Sequence, residues 1–180
     1  MANPKDILNV DVDAKAQFYK KGHLLQSEGE ITDRAFYVKS GLLRCYSIDE
    51  KGKEHIFLFA PEGWIVADIE SQEFQRPAEL FVECVEDSEV VPFDRYCFFE
   101  ESLSTQQLLE RIQLLSRRIG MLQRRLIQMM SAPALKRYEY FLETYPELPN
   151  RVSQKMIASY LGITPEALSK LRGARAKAKQ

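Results

Sequence analysis

The sequence predicts an α+β chain: a small antiparallel β jelly-roll barrel, then a long helix, then an all-α unit of helix-turn-helix type. Three observations carry this. After Phe18 come short β-branched and aromatic runs, punctuated by Gly22, Gly29, Gly41, Gly52 and Gly63. From Ser104 apolar residues recur at helical spacing. Ile157 to Arg172, IASYLGITPEALSKLR, reads as two short helices about a sharp turn.

In chain order, residues 1–20 are read as a short helix, with a strand starting near Phe18. The runs AFYVKSG, LLRCYSID, EHIFLFA, AELFVECVE and SEVVPFD have strand composition, and DEKGKE (49–54) between two of them reads as a hairpin turn. Many short strands with glycine in the turns suggest a barrel or jelly roll. Such a barrel is either filled or holds one small ligand, and periodicity does not decide between them. Trp64, Phe57, Phe59 and Phe81 line a pocket in one reading and fill the interior in the other; filling is favoured, because small barrels usually pack solid.

Leu108, Ile112, Leu115, Ile119, Leu122, Leu126 and Met129 form an unbroken a/d heptad seam. Leu109, Ile127 and Met130 widen it, and Arg111, Arg117, Arg118, Arg124 and Arg125 are expected to project from the other faces. A lone helix of this length is marginal, so the seam needs a partner. The favoured partner is a second copy in a parallel coiled coil; the other reading is a helix that only covers its own barrel. Ser131-Ala132-Pro133 interrupts the helix, since Pro cannot continue it but can begin the next. ALKRYEYFLETY follows as an amphipathic helix ended around Pro146 and Pro149, and Ser153 is a candidate N-cap. The expected division is a barrel over 1–103, a dimerisation helix and hinge over 104–131, and a helix-turn-helix domain over 132–180.

In that last domain Gly162 supplies the turn, Thr164 caps the second helix and Pro165 takes its first position. With Leu168 and Leu171 facing inward, Glu166, Ser169, Lys170 and Gly173 point outward, flanked by Ala167 and Arg172. Glu can accept from a cytosine amine, Lys can donate to guanine, and Ser can serve either base. Charge is distributed to match. Residues 1–100 carry 11 Lys and Arg against 20 Asp and Glu; residues 151–180 carry seven against one, in a chain of net charge −1. A basic end on an acidic body suits docking on phosphate.

Other classes are disfavoured. No apolar run is long enough for a membrane span, and the N-terminus is too acidic and polar for a signal peptide. Cys45, Cys84 and Cys97 are odd in number and widely spaced, which points to a reducing cytoplasm. With His23 and His55 alone, a multi-histidine metal site is not expected. No nucleophile–base pair is visible, so no enzyme and no cofactor are expected.

Barrel, heptad helix, Pro hinge and helix-turn-helix, in this order, resemble the Crp/Fnr family of bacterial transcription regulators. The segments KKGHLLQSEGE (20–30), FYVKSGLLRCYSIDEKGKEHIFLFAPEGW (36–64), the heptad helix and residues 157–172 carry the resemblance. It implies a cyclic-nucleotide-binding-like barrel that takes an effector, a homodimer through the long helix, and a second helix in the major groove of double-stranded DNA. It implies RNA polymerase as a further partner. The DNA-binding residues it implies are Ser153, Gln154, Thr164, Glu166, Ala167, Ser169, Lys170, Arg172 and Arg175, of which Glu166 and Lys170 match base-reading positions; Pro165 stands where nucleotide-binding relatives often have Arg. The matching effector pocket comprises Gly63, Trp64, Asp68, Arg76, Pro77 and Ala78.

This segment, EGWIVADIESQEFQRPAELF (62–81), departs from the family pattern. Asp68 stands in for an acid, but Pro77 and Ala78 lie where a phosphate needs donors, so tight binding of cyclic AMP or cyclic GMP is not expected. Residues 1–40 lack the cysteine cluster of iron–sulfur sensing members, and the effector is left open. After the second helix comes GARAKAKQ, without the β-hairpin wing of many relatives; Arg175, Lys177 and Lys179 are expected to replace the wing by charge. The expected function is a dimeric, sequence-specific transcription regulator on a palindromic operator. The alternative is a ligand-binding or protein-interaction module with a degenerate helix-turn-helix.

Overall fold

A computed structural model describes residues 15–94 and 104–177. The expected helix near the N-terminus, Cys97 and Lys179 fall wholly or mainly outside them. The strands are β1 (Gln17–Tyr19), β2 (Leu24–Gln26), β3 (Arg34–Ser40), β4 (Leu43–Ile48), β5 (Glu54–Ala60), β6 (Ile65–Val66), β7 (Phe81–Cys84) and β8 (Ser88–Asp94). They form two four-stranded antiparallel sheets, ordered β1-β8-β3-β6 and β2-β7-β4-β5. The expected jelly-roll barrel is seen as two four-stranded sheets that do not join into one closed barrel among the described residues. The physical reason lies at β5, an edge strand whose free side is met by a helix rather than by another strand.

Local chemistry sets the turns. Between β4 and β5 the Asp49 carboxylate accepts from the backbone N–H of Lys51 at 2.9 Å and of Lys53 at 3.0 Å, while Gly52 takes φ 75°. Between β3 and β4, Gly41 has φ 92°, and a Cβ there would lie 2.8 Å from the Asp87 carbonyl and against the Ser88 side chain. The Ser88 hydroxyl uses that space to accept from the N–H of Leu42. Phe36, Val38, Leu43, Cys45, Ala60, Val66, Val82, Cys84 and Val90 fill the space between the sheets. A six-residue helix, α1 (Ile69–Phe74), follows β6. Its pattern is too short to stand out by periodicity.

The helix α2 (Thr105–Ser131) opens with a capping box: Ser104 and Gln107 satisfy each other's backbone N–H. It ends at Ser131; Ala132 is extended, and α3 (Ala134–Thr144) begins after Pro133. A 3₁₀ turn (Leu148–Asn150), α4 (Gln154–Leu161) and α5 (Pro165–Lys177) complete the chain. None of the described helices is long and apolar enough to cross a membrane.

Candidate nucleic-acid interface

The unit formed by α4 and α5 is built by short-range chemistry. Ser153 caps α4 by accepting from the N–H of Met156 at 3.2 Å. Gly162, at φ 65°, ends α4, and its N–H reaches back to Ala158 and Ser159 carbonyls. Thr164 caps α5 by accepting from the N–H of Ala167 at 3.2 Å. Ile157, Ala158, Leu161 and Leu168 are buried between the helices. The small Ala158 permits the close approach.

This burial fixes what α5 presents. Glu166, Ser169, Lys170, Arg172 and Gly173 are exposed, and Ala167 and Leu171 are half-buried. Hydrogen bonds from its own backbone N–H and the Thr164 hydroxyl hold the Glu166 carboxyl below the usual range, so it is an acceptor at neutral pH. Ser153, Gln154 and Thr164 are exposed at the N-terminal ends of the two helices. Arg175 differs: its guanidinium turns back toward α3, 5.9 Å from the Tyr138 ring centroid. It borders a recess of about 180 Å³ with Arg172, Ala176 and Tyr138, rather than the Glu166–Lys170 face.

The unit is anchored on the sheets. The Ser159 hydroxyl donates to the Glu54 carbonyl at 2.7 Å and accepts from the N–H of Ile56 at 3.0 Å, completing the open edge of β5. Arg125 of α2 donates to the carbonyls of Ile56 at 3.0 Å and Tyr160 at 3.1 Å, and lies 3.7 Å above the Tyr160 ring. Arg151 bridges Glu62 and Glu86 of the sheet loops. Phe59 inserts among Phe141, Tyr145 and Tyr160. Phe59 thus belongs neither to a pocket nor to the space between the sheets; it joins the two parts of the chain. Trp64 lies between Tyr145 and Arg118 and also packs against the core between the sheets. Phe81 stacks on Tyr46, and Phe57 is 39 % exposed.

The arginines of α2 correct the sequence reading. Arg111, Arg118 and Arg125 are seven apart, and with Leu114, Met121 and Gln128 they form the protected stripe of the helix. Arg111 is buried, and Arg118 is largely desolvated against Trp64, which lowers its pKa. Arg117 and Arg124 do project: Arg117 is exposed, and Arg124 stacks above Tyr140 and reaches Glu143 at 3.9 Å. The heptad seam from Leu108 to Met129 lies elsewhere on the helix, each of its seven residues 40–65 % exposed. Met129 is shared, since its Cε also lies against Gly162 in the turn between α4 and α5.

The six pocket residues expected from the resemblance have other contacts. Asp68 is buried; one carboxylate oxygen caps α1 at the N–H of Ser71, and the other accepts from the N–H groups of Glu79 and Leu80, both at 3.2 Å. Its charge is already matched by backbone donors. Arg76 is exposed, lying over Phe74 and 3.5 Å from Glu70. Pro77 is exposed, while Ala78 is buried and pairs its backbone with Gly29 and Glu30. Gly63 turns the chain with its N–H on the Val38 carbonyl. None of the six lines the recess of about 460 Å³ at one end of the paired sheets. Among these residues no cluster of His, Cys, Asp and Glu could hold a metal ion. Burial raises the thiol pKa of Cys45 to about 12 and of Cys84 to about 11, so neither is a nucleophile at neutral pH.

Comparison with known proteins agrees with this architecture. Residues 16–102 match the family model of the cyclic nucleotide-binding domain. Among solved structures, FixK2 from Bradyrhizobium japonicum is 18 % identical, with a TM-score of 0.76 over 91 % of this chain and 85 % of that one. A CooA mutant from Carboxydothermus hydrogenoformans is 20 % identical, with a TM-score of 0.75 over 98 % and 85 %. A CRP/FNR-family transcriptional regulator from Thermus thermophilus is 21 % identical, with a TM-score of 0.70 over 91 % and 86 %. No curated protein matches the chain in sequence. Residues 16–102 are thus similar to a cyclic nucleotide-binding domain, and the chain as a whole shares the fold of these solved structures.

The sequence missed the residues that anchor the α4–α5 unit. Ser159 carries no signal, because nothing local tells that its hydroxyl will meet a strand edge. The seven-residue spacing of Arg111, Arg118 and Arg125 was legible and marked a second face of α2.

Proposed function

We propose that the chain is a cytoplasmic, homodimeric transcription regulator that reads a palindromic DNA site with α5. The observation that carries this is the exposed Glu166, Ser169 and Lys170 surface of a helix whose opposite side is pinned by buried Leu168. Carboxylate, hydroxyl and ammonium on one helical face are base-edge chemistry. The exposed seam of α2 supports pairing of two chains, which would set two such helices about 34 Å apart. Arg172 and Arg175, near the C-terminal end of α5, serve phosphate rather than bases in this reading. The fold shared with Crp/Fnr regulators supports the same assignment. Asp68, spent on backbone donors, disfavours an anionic nucleotide in the segment 62–81.

Selection of random duplex DNA by the purified chain tests the reading, with the Glu166→Ala, Lys170→Ala double variant alongside. The wild type is expected to enrich a palindrome that the variant loses or relaxes, at a cost of about 1–3 kcal/mol per base contact removed. Equal enrichment by both proteins would contradict reading by α5. No enrichment by the wild type, with or without cell extract, would favour the interaction-module alternative.

A further inference from the structure

The recess at the end of the sheets has an ordered wall. In the β3–β8 ladder the residues facing the interior pair as Val38 with Val90, Phe36 with Pro92, and Arg34 with Asp94. Val38, Phe36 and Val90 belong to the core between the sheets, so Arg34 and Asp94 extend the same inward row. Two apolar rungs thus end in a charged rung carrying one cation and one anion. The recess of about 460 Å³ is completed by Tyr19 and Gln17 from β1, next to β8 in the same sheet, by Leu24 and Leu25 from β2 in the other sheet, and by His23 between β1 and β2.

Three features set this rung apart from an ordinary solvated rim. Arg34 and Asp94 stand directly opposite each other, yet they form no ion pair with each other or with any other described residue. The polar groups beside them are already oriented: the Tyr19 hydroxyl donates to Gln17 Oε1 at 2.6 Å, and the His23 ring lies against the Tyr19 ring with centroids 4.8 Å apart. Leu24 is 43 % exposed and presents apolar surface at the same opening. The volume is within the range that holds a small ligand, about 300–1,000 Å³.

We propose that this recess is a binding site for a small zwitterion with an apolar side chain, of the free amino-acid class. The ligand's carboxylate would sit on the Arg34 guanidinium and its ammonium on the Asp94 carboxylate. Its side chain would lie toward Phe36, Leu25 and Pro92. A ligand with a single charge satisfies one member of the rung and leaves the other beside an unmatched group. The site is distinct from the segment 62–81. Only its regulatory meaning rests on the reading of this chain as a DNA-binding regulator; ligand binding does not.

Titration calorimetry of the full chain without DNA tests this, using L-phenylalanine, L-leucine, phenylacetate and phenethylamine. One of the two amino acids is expected to bind saturably at millimolar concentration or tighter, with phenylacetate and phenethylamine weaker by about tenfold or more. Arg34→Gln and Asp94→Asn are each expected to weaken the amino acid by about tenfold or more, with an unchanged circular dichroism spectrum. Both substitutions are at exposed positions and leave the core intact. Absence of saturable binding by both amino acids would overturn the proposal. So would undiminished binding in both variants, or equal binding of the singly charged compounds. DNA selection is read separately, so failure of either reading is distinguishable from failure of the other.

Discussion

Gly41 shows how one side chain, or its absence, governs the sheet corner. Its φ of 92° suits glycine, and the place of a Cβ is taken by Ser88 and the Asp87 carbonyl. Gly41→Ala is expected to destabilise the chain by about 2–3 kcal/mol, combining backbone strain with overpacking, as read by urea unfolding. A change within about 0.5 kcal/mol would show that the corner relaxes freely. Gly41 was legible as a turn residue, and Gly162 and Thr164 as turn and cap, because each is dictated by neighbours in sequence. Asp68 was not legible. As an acid after a glycine it matched a ligand-binding position, but its partners, the amides of Glu79 and Leu80, are eleven and twelve residues away. Only the fold reveals that its charge is internally satisfied.

At the scale of elements, two contacts define the arrangement: α2 against its own chain, and α4 against β5. The seam of α2 was readable because an apolar heptad is a one-dimensional pattern. Its protected face was misread because arginines usually mark solvent, whereas here their stems and guanidinium planes cover Trp64, Tyr160 and the end of β5. The Arg151 bridge predicts a pH dependence. Burial pushes the Glu62 carboxyl up, but the Arg151 guanidinium outweighs this and holds it below 4.5. A carboxyl depressed in the folded state stabilises above its unfolded value and loses that contribution as pH falls through the folded value. The contact is therefore expected to be intact at pH 7 and to weaken below about pH 4.5. Arg151→Leu should lower the melting temperature at pH 7 and flatten its fall between pH 5 and about 3. Wild-type and variant curves that run parallel would show that the bridge does not contribute to this pH dependence. Ser159→Ala leaves the N–H of Ile56 without its partner and is expected to cost about 1–2 kcal/mol by the same melts.

For the whole molecule, the sequence conveyed the order of parts and the face of α5 but not how the parts meet. The strands from AFYVKSG to SEVVPFD were recognisable, with EHIFLFA and SEVVPFD matching β5 and β8 end to end. Openness of the sheets was not legible, since strand composition does not say which edge a helix will cap. The charge asymmetry belongs to this scale too: an acidic sheet domain carries a basic helical unit. Pairing through α2 predicts that Leu115→Glu with Leu122→Glu yields a monomer in sedimentation, with the circular dichroism spectrum retained. In the proposed function two chains read DNA together. This is tested by the affinity and stoichiometry of the chain on a selected duplex holding two half-sites, compared with a duplex holding one. Two chains are expected per full site, with a half-site bound more weakly by about tenfold or more. One chain per duplex, with equal affinity for both, would contradict joint reading.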